Sequence, residues 1–269
     1  MVWIPCRRAW RNPIFHGGLA AFAQQPTYRS YSLNYIAALA TVLLITWPKE
    51  GFVNLRDLPF TYNAMGGTTL IILAYLNVSQ GATRSLGSRY LSLHDWLVLA
   101  PVPAGRFLRG YVAASCLELL LFWGLSVPLL ILAAHVSGEP LLHLGIGLLI
   151  ILVCAGSYRI VGIALLTCFE RDEFLLYILV RLLYVFFILG SGFVAPMYNP
   201  VLAFADASLW PHRLGSVTLL GLTLHGWVMT VVLHLLLGGG SFIIALARVH
   251  WVQRRGAGRE TREEDRGYG

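Results

Sequence analysis

The chain has 269 residues, of which 57% are hydrophobic and 12% are charged, and its formal net charge is +7. A soluble domain usually has about 25% charged residues, so this composition excludes that class and predicts an integral membrane protein. The basic residues flank apolar runs instead of forming one face, which argues against a nucleic-acid partner.

The N-terminal segment, residues 1–30, is predicted to be cytoplasmic. Asn12 followed by Pro13 is typical of a helix start, and Pro26 prevents the helix from continuing into the first span. The apolar residues between them, including Phe15, favour an interfacial helix that lies against the lipid surface. A cleaved signal peptide is the alternative, but its apolar core would be short.

Six apolar runs are long enough, or nearly so, to cross a hydrocarbon core that needs about 20 helical residues. They predict an all-α integral membrane protein whose transmembrane domain covers residues 31–247. The six predicted spans are residues 31–47, 60–80, 110–134, 143–168, 174–196 and 219–247. The charged end, residues 248–269, lacks apolar periodicity and is predicted to be a disordered cytoplasmic tail.

The distribution of Lys and Arg predicts the orientation. With the N-terminus inside, the inner segments hold fifteen basic residues and the outer segments hold three, Lys49, Arg56 and Arg213. This bias predicts a multi-pass protein of the cell (inner or plasma) membrane with both termini cytoplasmic.

The longest polar interruption, residues 82–110, is predicted to be a cytoplasmic hairpin. Ser92 stands three residues before Asp95 and ahead of an apolar run, which is the spacing of a capping box at a helix start. Pro101 and Pro103 prevent that helix from continuing. The pattern predicts a short helix that a partner protein can contact.

Three ionisable residues lie well within the predicted spans: Glu118, Arg159 and Arg181. At about 1.5 Å per residue, all three fall about 10 to 14 Å inside the cytoplasmic boundary. One hypothesis is an ion cluster that clamps three helices together. In the second, both arginines reach the headgroups and Glu118 faces a polar gap. The third is a site for an anionic substrate or a proton.

No pattern for catalysis or cofactor binding is present. His225 and His234 fall in the sixth predicted span, but nine residues place them on opposite helix faces, so a shared metal is not expected. The cysteines lack ligand spacing such as C-x-x-C, so no disulfide is expected either. The single lysine, Lys49, precedes Glu50, so no phosphate-binding loop of the G-x-x-x-x-G-K-[ST] type exists. If this protein uses ATP, another chain must bind it.

Several short motifs resemble one known family. The segment LVLAPVP at residues 97–103 and the segment FLRGY at residues 107–111 resemble the end of a coupling helix. The segment RNPI at residues 11–14 resembles an N-terminal Asn-Pro. Asn199 and Pro200 resemble an outer turn that precedes short re-entrant helices, here within residues 197–218. Together with six spans, these motifs resemble the membrane subunit of a type-2 (exporter) ABC transporter.

The resemblance implies a permease that exports substrate with energy from a separate ATP-binding subunit, beside a second permease chain, identical or related. The ATPase-contact residues would be Ser92, His94, Asp95, Trp96, Leu97, Pro101 and Pro103. A second inner-loop contact would comprise Glu170, Arg171, Asp172 and Glu173, although a solvated turn explains these residues equally well.

Two other function classes stay open. A membrane scaffold, or a subunit that stabilises a larger complex, also needs no catalytic groups. An intramembrane enzyme would use Glu118 with the two arginines. The residues do not identify the transported substrate.

Overall fold

A computed structural model describes residues 15–16, 26–47, 59–82, 102–169, 172–208, 216–219 and 222–267. These residues are almost entirely helical. The first four long helices are α1 (Pro26–Thr46), α2 (Phe60–Ala82), α3 (Ala104–Val136) and α4 (Leu141–Phe169). The later helices are α5 (Glu173–Val185), α6 (Ser191–Val194), α7 (Pro200–Ser208) and α8 (Gly226–Gly267).

Four helical segments are long and apolar enough to cross a membrane, namely α3, α4, Glu173–Val194 and the Gly226–Arg254 part of α8. The chain is therefore a membrane-embedded helical protein. The 23 residues of α2 would also reach across a hydrocarbon core. However, α2 carries polar residues such as Asn63, Thr69 and Asn77. The count of six spans stays a prediction.

The centre of the structure is the packing of α2 against α4. Gly81 of α2 and Gly162 of α4 lie where the two backbones touch, because a Cβ atom on Gly81 would stand 2.5 Å from the carbonyl oxygen of Arg159. Small residues at such a crossing let membrane helices approach closely. A polar helix such as α2 is tolerated here because its neighbours enclose much of its surface.

The fifth predicted span is not one regular helix. Regular α-helix ends at Val185, the segment Phe186–Gly190 is π-helical, and α6 follows. A 3₁₀ turn, Pro196–Tyr198, then leads into α7. A π-helical segment adds one residue to the turn, so the hydrogen-bonding pattern of the helix is interrupted there.

A short two-stranded hairpin, which the sequence did not predict, interrupts the otherwise helical structure. Strands β1 (Ser216–Leu219) and β2 (Leu222–His225) are antiparallel, with Ser216 opposite His225. Their β-branched Val217, Thr218 and Thr223 favour a strand over a helix. The sixth predicted span was therefore placed too early, because the last helix begins at Gly226, and His225 lies on a strand.

The predicted boundary between residues 247 and 248 is not a structural boundary. Helix α8 continues to Gly267 through the segment that the sequence predicted to be disordered. Val249 and Val252 are buried, which holds this part of the helix against the rest of the protein. At the N-terminus, Phe15 and His16 are helical, but Phe15 is buried instead of facing lipid.

Candidate functional site

Most of the predicted ATPase-contact segment lies outside the described residues, and this applies to Ser92, His94, Asp95, Trp96, Leu97 and Pro101. Pro103 is described and immediately precedes α3. Its carbonyl oxygen accepts hydrogen bonds from the backbone N–H groups of Arg106 (2.8 Å) and Phe107 (3.0 Å). Residues 102 and 103 therefore lead directly into the first turn of α3.

Sequence reasoning missed one residue at this point, Gln253 of α8. Its side-chain oxygen accepts a hydrogen bond from the backbone N–H of Ala104 at 2.9 Å. Its side-chain nitrogen donates to the carbonyl oxygen of Val102, also at 2.9 Å. A single amide thus joins the last helix to the residues on both sides of Pro103. The sequence signal for it is weak: Gln253 is a polar residue that follows the apolar Val252, which the structure shows to be buried.

The loop between α4 and α5, which the sequence predicts to be the second inner loop, has a local structural role. The carboxylate of Asp172 accepts a hydrogen bond from the backbone N–H of Leu175 at 2.9 Å and so caps α5. Glu173 lies exposed in the first turn of α5, where an acidic side chain interacts favourably with the helix dipole. Glu170 and Arg171 lie outside the described residues. Contact of this loop with an ATPase stays a prediction.

A buried ion pair connects three helices within the membrane domain. The guanidinium of Arg159 on α4 forms a short salt bridge with the carboxylate of Glu118 on α3. Its Nη1 atom donates to the side-chain oxygen of Gln80 on α2 at 2.8 Å. Arg159 is 1% exposed and Glu118 is 6% exposed. Arg159 therefore does not reach the headgroups, because its guanidinium is engaged between helices.

The third member of the predicted cluster lies elsewhere. The guanidinium carbon of Arg181 stands 3.1 Å from the centroid of the Tyr177 ring, and its Nη1 donates to the Tyr177 carbonyl oxygen at 3.3 Å. An equal predicted depth in the membrane does not determine which way a side chain points. The Arg181 side chain lies along the surface of its own helix. This corrects the prediction of a three-residue ion cluster. The third side chain that contacts the pair is Gln80, which is not ionisable and was therefore not among the predicted residues.

A second polar group joins α4, α8 and the turn before α7. The buried His234 ring has its Nε2 atom 2.8 Å from the Tyr158 hydroxyl and its Nδ1 atom 2.8 Å from the Thr230 carbonyl oxygen. Because a carbonyl oxygen only accepts, Nδ1 carries a proton. The Thr230 hydroxyl donates in turn to the carbonyl oxygen of Met197. The buried histidine is therefore satisfied by protein groups.

The two histidines of the predicted sixth span do not meet, since His225 is exposed at the end of β2. Within the described ranges, no group of three or more His, Cys, Asp or Glu residues is arranged to hold a metal ion. These two described polar groups instead join helices to one another, Arg159 through Gln80 near the C-terminal end of α2 and His234 through Tyr158 of α4.

The resemblance to exporter permeases rests on the motifs and layout of this chain. The chain matches no protein-family model, no curated protein and no solved structure.

Proposed function

We propose that this chain is the membrane-spanning permease subunit of an ATP-driven ABC exporter. It acts with a second permease chain, and a separate ATP-binding subunit contacts residues 92–103. The observation that best supports this proposal is α7 (Pro200–Ser208), a short helix between the fifth and last long helices. The family resemblance implies a re-entrant helix at this position in the chain.

The start of α7 is fixed by Asn199, a residue of the Asn-Pro motif. Its side-chain oxygen accepts from the backbone N–H groups of Val201 (2.9 Å) and Leu202 (3.0 Å), which caps the helix. Its side-chain nitrogen donates to the carbonyl oxygen of Ile188 at 2.7 Å, within the π-helical segment. One asparagine therefore ties the short helix to the fifth long helix.

A second residue, Phe204, attaches α7 to the other helices, and its side chain is 1% exposed. Its ring packs against Tyr62 of α2 with 5.0 Å between centroids. A Cβ atom on Gly147 of α4 would stand 2.6 Å from this ring, so glycine is needed there. The short helix is thus anchored in the helical core, as a structural part of a translocation domain would be.

The mechanism that we propose is a two-state movement biased by the partner. Closure of the ATP-binding subunits moves residues 92–103, which lead directly into α3. With 33 residues, α3 is about 50 Å long at about 1.5 Å per residue. A displacement of its first turn therefore tilts the whole of α3, which is long enough to extend across the membrane.

The test is isolation of the tagged chain from its native membrane in mild detergent, with identification of bound proteins and an ATPase assay. The test variant is Trp96→Ala with Leu97→Arg. The control is Leu141→Arg, which adds the same charge at the 82% exposed residue that begins α4, at the opposite end of the bundle. We expect an ATP-binding subunit with the wild type and the control, and its loss from the test variant.

An ATPase that stays bound to the test variant would refute the proposed contact. A complex without any ATPase would refute the exporter assignment and favour the scaffold. Turnover by the purified chain without ATP or a partner would favour the intramembrane enzyme.

A further inference from the structure

We propose that Gln253 is a positioning residue that fastens the end of the inner hairpin to the last helix. This inference rests on the proposed function, because it assigns Gln253 the task of holding the ATPase-contact segment in register with the membrane domain.

The start of α3 needs an external hydrogen-bond partner. The first backbone N–H groups of any helix lack an intrahelical acceptor. Pro103, at the cap position, provides no side-chain hydrogen bond. The oxygen of Gln253 fills this role for Ala104, 149 positions away in sequence. The cap of α3 is therefore supplied by another helix instead of by its own sequence.

The same side chain also holds the residue before Pro103. Its nitrogen donates to the Val102 carbonyl oxygen at 2.9 Å. The amide of Gln253 offers both a donor and an acceptor without carrying a charge. A glutamate at position 253 would keep the acceptor for Ala104 but would set a charged oxygen against the Val102 carbonyl.

Packing keeps the amide in place. Val249 and Val252 of α8 are buried, and so are Ala104, Phe107 and Leu108 in the first turns of α3. A Cβ atom on Gly105 would contact Leu246 at 3.8 Å, which shows how closely the two helices approach here. The amide is thus anchored by an apolar contact between α8 and α3, and movement of α8 is transmitted to residue 102.

The first measurement is hydrogen exchange of the peptide that covers residues 102–108, using the purified full chain without any partner. The variants are Gln253→Met, which keeps the length but removes both hydrogen bonds, and His250→Met at an exposed position of the same helix. We expect exchange at Ala104 to be about fivefold faster in the first variant, as for loss of one typical hydrogen bond, and unchanged in the second.

The second measurement is ATP hydrolysis by the complex with its ATP-binding subunit. We expect Gln253→Met to retain the bound subunit but to lose most of the hydrolysis that assembly with the permease stimulates. The Gln253→Glu variant should lie between it and the wild type. Unchanged exchange would overturn the hydrogen-bond assignment, and faster exchange with unchanged hydrolysis would overturn the positioning role. Absence of any ATPase in the wild type refutes the proposed function, whereas the exchange experiment still decides whether Gln253 holds α3.

Discussion

At the scale of single residues, Arg159 and Glu118 form a buried pair of opposite charges within the described part of the membrane domain. Both side chains are buried, and the guanidinium also binds Gln80. A buried charge without its partner costs far more than the pair contributes, because neither water nor a counter-charge remains. The position of the pair between α2, α3 and α4 favours the helix-clamp hypothesis over a substrate or proton site.

The clamp can be tested by replacing one partner at a time. Glu118→Gln and Arg159→Gln should each destabilise the fold by about 3 to 5 kcal/mol, since each leaves one buried charge. Arg181→Gln is the matched control, because that arginine is half-buried on its own helix and contacts Tyr177. The measurements are the monodisperse yield and the midpoint of thermal unfolding in detergent.

A double variant, Glu118→Leu with Arg159→Met, should recover much of the lost stability because it removes both charges. Normal yield and unfolding for Glu118→Gln, together with lost activity in the assembled complex, would instead support a substrate or proton site.

At the scale of elements, the crossing of α2 and α4 depends on glycine because backbone meets backbone. The oxygen next to Gly81 belongs to the main chain of Arg159, which cannot swing aside as a side chain can. The crossing lies one residue from Gln80, so the same contact that brings the helices together also sets the Gln80–Arg159 hydrogen bond. The close packing of the two backbones and the Gln80–Arg159 hydrogen bond therefore depend on each other.

Gly81→Ala should destabilise the protein by about 1 to 3 kcal/mol, as overpacking of a close contact usually does. Gly239→Ala is the control, because its Cβ atom would meet nothing within 4 Å in α8. That change should raise stability by up to about 1 kcal/mol through helix propensity. The two unfolding midpoints in detergent should move in opposite directions, and equal shifts would contradict the assigned crossing.

At the scale of the whole molecule, two residues of the chain can be labelled to determine its orientation in the membrane. Lys49 is the single lysine and is predicted to be outside, whereas Cys6 is predicted to be inside. Both residues lie outside the described part of the structure. The asymmetry of fifteen inner and three outer basic residues is the basis of this prediction.

An amine reagent that cannot cross membranes should label the wild-type chain in intact cells, and Lys49→Arg should abolish that labelling while keeping the charge. A similarly excluded thiol reagent should reach Cys6 only after lysis, with Cys6→Ser as its control. The reverse pattern would invert the orientation.

Much of the helical layout could be predicted because it depends on local composition. The predicted spans 110–134 and 143–168 lie inside α3 and α4, since both apolar runs are long and each contains a single charged residue. The hairpin at Ser216–Leu219 was missed because its Val and Leu residues extend an apolar run that continues into α8. Composition alone does not separate a strand from a helix there.

The candidate site could be predicted less well because its partners are distant in sequence. The sequence showed that Glu118 and Arg159 share a depth, but it could not show that Arg181 turns towards Tyr177. Gln253 meets Ala104 across 149 positions, and no local pattern marks such a pair. The sequence predicted that Asn199 is part of a turn. Its hydrogen bond to Ile188 could not be predicted, because it depends on a π-helical segment for which the sequence has no known motif.

The seating of Phe204 against Tyr62, Gly66 and Gly147 has a consequence for biosynthesis. The ribosome makes α2 and α4 before residue 204, so the surface that receives this ring is complete before the ring leaves the ribosome. A nascent chain that stops after α4 would lack the ring that packs on Gly66 and Gly147. Insertion of α7 is therefore a late step of assembly, and it closes a gap that the earlier helices leave between them.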